Sequence, residues 1–199
     1  MVALCMALPA HADVTSARYE EPTTRYAHGV LGDAIEHGAL VMERAGAAPV
    51  RVRLPERRVF EDTAPRVVDV DGDGDGEVLV VESDRDLGAR VAIYDEAGLV
   101  AANEFIGRTN RWLAPVGVGA ADLDGDGAVE IAFVDRPHLA KTLRVFRFAG
   151  GSLTLAGEFP GVTNHRIGER DIAGGIRDCG AGPEMVVADA AWQRVLAIR

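Results

Sequence analysis

Two nine-residue windows, Asp69-Val70-Asp71-Gly72-Asp73-Gly74-Asp75-Gly76-Glu77 and Asp122-Leu123-Asp124-Gly125-Asp126-Gly127-Ala128-Val129-Glu130, place carboxylates at positions 1, 3, 5 and 9. Each runs into an apolar segment, Val78-Leu79-Val80-Val81 and Ile131-Ala132-Phe133-Val134, and the closing glutamates lie 53 residues apart. A degraded third copy, Ile176 to Glu184, closes 54 residues further on and leads into Met185-Val186-Val187-Ala188. A second pattern, Glu104-Phe105-Ile106-Gly107-Arg108-Thr109-Asn110, returns at the same spacing as Glu158-Phe159-Pro160-Gly161-Val162-Thr163-Asn164. Two unrelated features with one period imply a duplicated unit of about 53 residues, which confines the fold to a repeat architecture.

Within a unit the apolar runs and Gly-rich turns read as four short strands. In the first they are Arg66–Val70, Val78–Glu82, Ala89–Tyr94 and Leu99–Phe105, and in the second Val116–Ala121, Glu130–Val134, Thr142–Phe148 and Ser152–Phe159. The last unit offers Arg170–Gly174, Glu184–Ala188 and Arg194–Ile198, while Tyr26–Phe60 reads as an earlier, more diverged unit. No helical periodicity persists for three turns, and one helical turn is expected at most, at Asp33-Ala34-Ile35-Glu36. The predicted fold class is all-β, a β-propeller-like array of four-stranded blades. Residues 13–199 hold about 3.5 such units. A truncated chain, a small ring closed by an N-terminal strand and an open arc all satisfy that count.

The chemistry of the acidic windows is that of a hard cation. Ca²⁺ takes six to eight oxygens at about 2.3–2.6 Å, whereas Mg²⁺ demands a compact octahedron and keeps its waters. Side chains at positions 1, 3 and 5 converge only if the chain curls, and Gly74 and Gly127 permit that turn. The expected metal set is Asp69, Asp71, Asp73, Asp75 and Glu77, then Asp122, Asp124, Asp126, Ala128 and Glu130, with position 7 contributing a backbone carbonyl. An EF-hand closes at position 12 between helices, so closure at position 9 into a strand disfavours it. The third window has lost the acids at positions 1 and 5 and gained Arg177, and no metal is expected there.

These windows resemble the FG-GAP/VCBS repeats of integrin-α-type β-propellers, whose hallmark is an Asp-x-Asp-x-Asp-Gly-x-x-Asp loop between the first two strands of a blade. Glu77 and Glu130 replace the usual final Asp, and Phe105/Gly107 and Ala114-Pro115 keep the flanks that name the repeat only loosely. The resemblance is specific over Ala64–Val134, and the whole looks like an exported bacterial VCBS-repeat protein. It implies a propeller and two Ca²⁺ sites, and no reaction.

Propeller connectivity would put the acidic loops on one face. The other face would then collect Arg111, Trp112, Arg136, His138, His165 and Arg166, with Tyr26, His28 and Arg85 nearby. This cationic and aromatic set is the candidate site for a polar or anionic ligand such as a glycan. The competing reading has Thr-Asn pairs forming turns, Trp112 packing between blades and the arginines pairing with Asp84, Asp86 and Asp135. No catalytic motif is present. An interaction module with a protein or glycan partner is therefore the leading expectation, and an exported hydrolase or lyase using the cationic face is the alternative.

The formal charge of -10 owes much to the windows, which hold nine of the 31 acidic residues. Two divalent cations would bring it to -6. That balance argues against a nucleic-acid partner, and no stretch is long and apolar enough to span a bilayer. Residues 1–12 read as a signal-peptide remnant, since Val2–Leu8 is apolar and Ala10-His11-Ala12 is a small-x-small cleavage pattern. A periplasmic or secreted location follows as an expectation. Cleavage there would remove Cys5 and leave Cys179 alone.

Overall fold

The computed structural model describes residues 13–108 and 112–199, and of Val118 the backbone alone. The apolar runs after the acidic windows form strands, and no helix occurs among the described residues. Strands β1 (Val14–Thr23), β2 (Glu36–Arg44), β3 (Ala47–Arg53), β4 (Arg58–Phe60), β5 (Arg66–Val68), β6 (Glu77–Asp84), β7 (Gly88–Asp95) and β8 (Gly98–Ala102) build an eight-stranded antiparallel sheet. Its order is β1-β2-β4-β6-β7-β8, with β3 also on β2 and β5 also on β6. The second sheet is β9 (Leu113–Ala121), β10 (Glu130–Asp135), β11 (Thr142–Ala149) and β12 (Ser152–Pro160), paired β12-β11-β10-β9. The third holds β13 (Val162–Thr163), β14 (Gly175–Asp178), β15 (Pro183–Asp189) and β16 (Val195–Ile198).

One irregularity repeats in all three sheets. The strand before each loop is broken midway along its partner. In the first sheet β4 pairs with the end of β6 (Phe60 opposite Glu82) and β5 with its start (Arg66 opposite Leu79). In the second, the register of β9 slips between Ala120 and Pro115. In the third, β13 and β14 both lie on β15, at Thr163 opposite Ala188 and Gly175 opposite Val186. Residues 170–174, expected as a strand, lie in this third excursion. The breaks pack together: Arg66 Nε donates to the Gly117 carbonyl at 2.9 Å. A Cβ on Gly117, whose φ is +63°, would stand 2.9 Å from the Gly175 Cα. Only glycine allows that approach.

Alternation along β6 explains the layering. Leu79 and Val81 share a core with Leu113, Ile131 and Phe133 of the second sheet. Val78 and Val80 point the other way and pack with Val14, Leu40, Met42, Leu54 and Phe60. A third core, Val116, Ala132, Val134 and Leu143 against Val162, Met185 and Val187, joins the second and third sheets. Each fully buried Leu, Ile or Phe contributes about 1.5–3 kcal/mol.

The N-terminal segment departs from expectation. β1–β3 form no separate blade; they join the first sheet through the His37–Phe60 pairing and cover the outer face of β6 and β7. β1 pairs with β2 and not with the third sheet, so no closed ring of blades forms among the described residues. The described residues form three antiparallel sheets. Residues 33–36 form no helical turn: Asp33 Oδ1 accepts the Ile35 N–H at 2.8 Å, and Glu36 opens β2.

Candidate functional site

The two acidic windows are hairpin loops of the same construction. In the first, Val68 pairs with Glu77 and residues 69–76 form the loop. In the second, Ala121 pairs with Glu130 around residues 122–129. Asp69 accepts the N–H groups of Gly72 (2.7 Å) and Gly74 (3.1 Å), as Asp122 does from Gly125 (2.7 Å) and Gly127 (3.0 Å). Glu77 Oε2 accepts the Val70 N–H at 2.8 Å, and Glu130 Oε2 that of Leu123 at 2.9 Å. Gly74 (φ 94°) and Gly127 (φ 90°) take the left-handed conformation that the curl requires.

These bonds gather Asp69, Asp71 and Glu77 so that one oxygen from each lies within 4.8 Å of the others, and likewise Asp122, Asp124 and Glu130. The donor set is all hard oxygen and fits Ca²⁺. Asp73 and Asp126 stand beside these triads, each turning one oxygen to the backbone N–H two residues on. Burial, followed by the repulsion of Asp71, Asp73 and Asp69, lifts Glu77 to about 7, against the pull of the Val70 N–H.

The third window does not keep this turn. Asp178 pairs with Pro183, leaving residues 179–182 as a four-residue loop whose left-handed glycines are Gly180 and Gly182. Arg177 bonds Glu184 at 2.8 Å, and Cys179 is an exposed free thiol.

The opposite ends of β6 and β10 carry the other candidate residues. His28, Trp112, Arg136, Pro137, His138, Leu139 and Ile167 line a cavity of about 340 Å³. Trp112, Arg136 and His138 thus come together as expected. His165 stands behind them, its ring 4.9 Å from Trp112 and 5.2 Å from His138. Arg166 does not join: it pairs with Glu169 at 3.5 Å and lies over the Trp192 ring. Arg111 lies outside the described residues.

The cavity is less cationic than its composition implies. The Arg136 guanidinium makes two 2.7 Å bonds to the buried Asp135 carboxylate. The strand-end acids Asp84 and Asp189 likewise hold Arg57, Arg58 and Arg194. Thr163 and Asn164 are fully buried and bond the carbonyls of Pro137, Ala114 and Pro115, so this pair is a packing device.

What the cavity does have is anchored histidines. His28 Nδ1 lies 2.5 Å from the carboxylate of fully buried Glu61, whose other oxygen takes the Ser83 hydroxyl. His165 Nε2 donates to the Glu169 carbonyl at 2.8 Å. Its Nδ1 therefore accepts from His138 Nε2 at 3.0 Å. Burial, then the neighbouring His165 and His28, pushes His138 down to about 4, so it is neutral near pH 7. Glu61 and Ser83 carried no sequence signal, since their burial depends on β4 meeting β6.

Sheets and loops together define an all-β repeat protein with acidic, cation-competent hairpins. A family model described as an FG-GAP-like repeat matches residues 69–133, from the first acid of one loop into the strand after the other. Among curated proteins none matches the chain. One solved structure, the Bacillus licheniformis rhamnogalacturonan lyase PL11, aligns over 90% of this chain and 41% of its own with a TM-score of 0.46 and 13% identity. This chain therefore spans less than half the length of that lyase.

Proposed function

We propose that the chain is a calcium-stabilised binding module that works outside the cytoplasm and engages a protein or glycan partner. The observation that carries the reading is the duplicated triad, Asp69/Asp71/Glu77 and Asp122/Asp124/Glu130, each held by the same backbone bonds. Asp73 and Asp126, with the carbonyls of Asp75 and Ala128, would complete two oxygen cages. Bound Ca²⁺ would supply the charge that lets these acids share one turn. The FG-GAP-like match supports an interaction role, and the Ala10-His11-Ala12 pattern supports export. The test is metal content and melting temperature with chelator and with Ca²⁺. Two ions per chain and a calcium-dependent rise support the reading; a melt indifferent to both removes it.

The cavity favours a second reading, an exported hydrolase or lyase, because His28 and His138 face one space and each is oriented by a fixed partner. Turnover of a glycan substrate that His138→Gln abolishes without lowering the melting temperature would support it. A parent protein inert on such substrates would eliminate it.

A further inference from the structure

The two acidic loops are alike in backbone and unlike in what faces them. In the second loop one arginine from the neighbouring strand reaches every carboxylate except that of Asp122. Arg147 Nη2 lies 2.5 Å from Asp124 Oδ2, Nη1 2.7 Å from Asp126 Oδ2, and Nε 2.9 Å from Glu130 Oε1. These three oxygens are the ones the loop's own N–H groups leave open. Asp124 Oδ1, Asp126 Oδ1 and Glu130 Oε2 already accept Asp126, Ala128 and Leu123 N–H.

In the first loop the matching oxygens are Asp71 Oδ2, Asp73 Oδ2 and Glu77 Oε1, and among the described residues no arginine or lysine is bonded to them. The reason lies in the strand register. Glu130 pairs with Arg147 and Ile131 with Phe146, while Val78 pairs with Tyr94. The residue after Tyr94, in Arg147's place, is Asp95, an acid. The third sheet continues the series: Ile198 pairs with Met185, and the next residue, Arg199, reaches Glu184 at 3.3 Å.

We propose that Arg147 is a built-in cation competing for the second loop, so that the two loops take Ca²⁺ unequally, the first readily and the second only as the guanidinium gives way. This rests on the calcium reading above. A planar guanidinium presents donors in a fixed fork, and here its three nitrogens meet three carboxylates at once. An ion entering the second loop must displace these charge-assisted bonds; among the described residues they have no guanidinium counterpart at Asp71, Asp73 and Glu77 of the first.

The experiment is calorimetric titration with Ca²⁺ alone of four proteins: the parent, Arg147→Gln, Arg147→Lys and the loop-two knockout Asp122→Asn/Asp124→Asn. The parent should show a tight and a weak class, and the knockout should lose the weak one. Arg147→Gln should tighten the weak class about tenfold, roughly 1.4 kcal/mol, and leave the tight class unmoved. Arg147→Lys, a point charge without the fork, should fall between. The loop-two hairpin's integrity is read from the circular dichroism and melt of each variant. Equal affinities in the parent, or weak-class affinities that agree within twofold between the parent and either folded Arg147 variant, would overturn the proposal while leaving the calcium reading intact. Absence of Ca²⁺ binding by the knockout, whose first loop is untouched, would sink the calcium reading itself.

Discussion

Trp112 donates its indole N–H to the backbone carbonyl of Glu61, 2.7 Å away and 51 residues earlier. The bond ties the entry to β9 to the break between β4 and β5, and the indole is almost wholly buried between the first two sheets. Trp112→Phe keeps most of the apolar volume and strands the Glu61 carbonyl, so it should destabilise by about 1–2 kcal/mol. Trp112→Ala adds a cavity and should cost about 3–5 kcal/mol. Urea unfolding followed by circular dichroism measures both. A Phe variant as stable as the parent would mean that water replaces the indole at that carbonyl.

The first loop should govern most of the calcium response. Ligand in hundredfold excess over its Kd stabilises by about 2.7 kcal/mol, which for a chain of this size is a rise of about 5–10 °C. Asp69→Asn/Asp71→Asn should abolish most of that rise. In chelator the same variant should melt at or above the parent, because two like charges have gone from one turn. Scanning calorimetry with and without Ca²⁺ checks both halves. A variant that melts lower than the parent in chelator would show that the carboxylates hold the turn through their N–H bonds, independent of metal.

The loops were legible because their information is local: four acids, two glycines and a strand start fall within nine residues. The strands of the first two units were legible for the same reason. Three features were not, because each depends on distant pairing. β1 reads as a polar stretch, and its place follows from meeting β2 twenty residues later. Arg147 carries no mark in sequence and matters through standing opposite Glu130. Thr163-Asn164, a turn on the competing reading, has both side chains inside, because the strand break sets Asn164 against the β9 carbonyls of Ala114 and Pro115 and Thr163 against that of Pro137. The cavity was legible in part, at Trp112, Arg136 and His138 and not at Arg166, and its charge was misjudged, since Arg136 is neutralised by its own sequence neighbour.

Glu36 should make the fold weaken with rising pH. Burial first, then repulsion from Glu61, Asp33 and Asp62, raises its carboxyl from 4.5 to about 9. The folded chain therefore keeps a proton that the unfolded chain has released. Its contribution is complete below about pH 4.5, shrinks as pH rises and is gone above about pH 9. The slope from this group is at most about 1.4 kcal/mol per pH unit. Glu36→Gln, which mimics the protonated acid, should flatten the profile and stabilise by about 1–3 kcal/mol at pH 8 while changing little at pH 4. Denaturant midpoints across that range decide it. An unchanged slope in the variant would mean that Glu36 ionises without penalty.

His28 and Glu61 form the hydrogen-bonded pair on which the cavity wall rests. Glu61 is fully buried, and burial raises its pKa while His28 and Ser83 pull it down. Removing one partner of a buried pair leaves the other uncompensated, so His28→Ala should cost about 3–5 kcal/mol. Replacing both with apolar groups removes the stranded buried carboxyl as well, so His28→Ala/Glu61→Leu should be less destabilised than His28→Ala alone. A double-mutant cycle in urea gives the coupling directly. A coupling near zero would mean that Ser83 and solvent satisfy Glu61 without the imidazole, and His28 would then be free to turn its ring toward whatever the cavity holds.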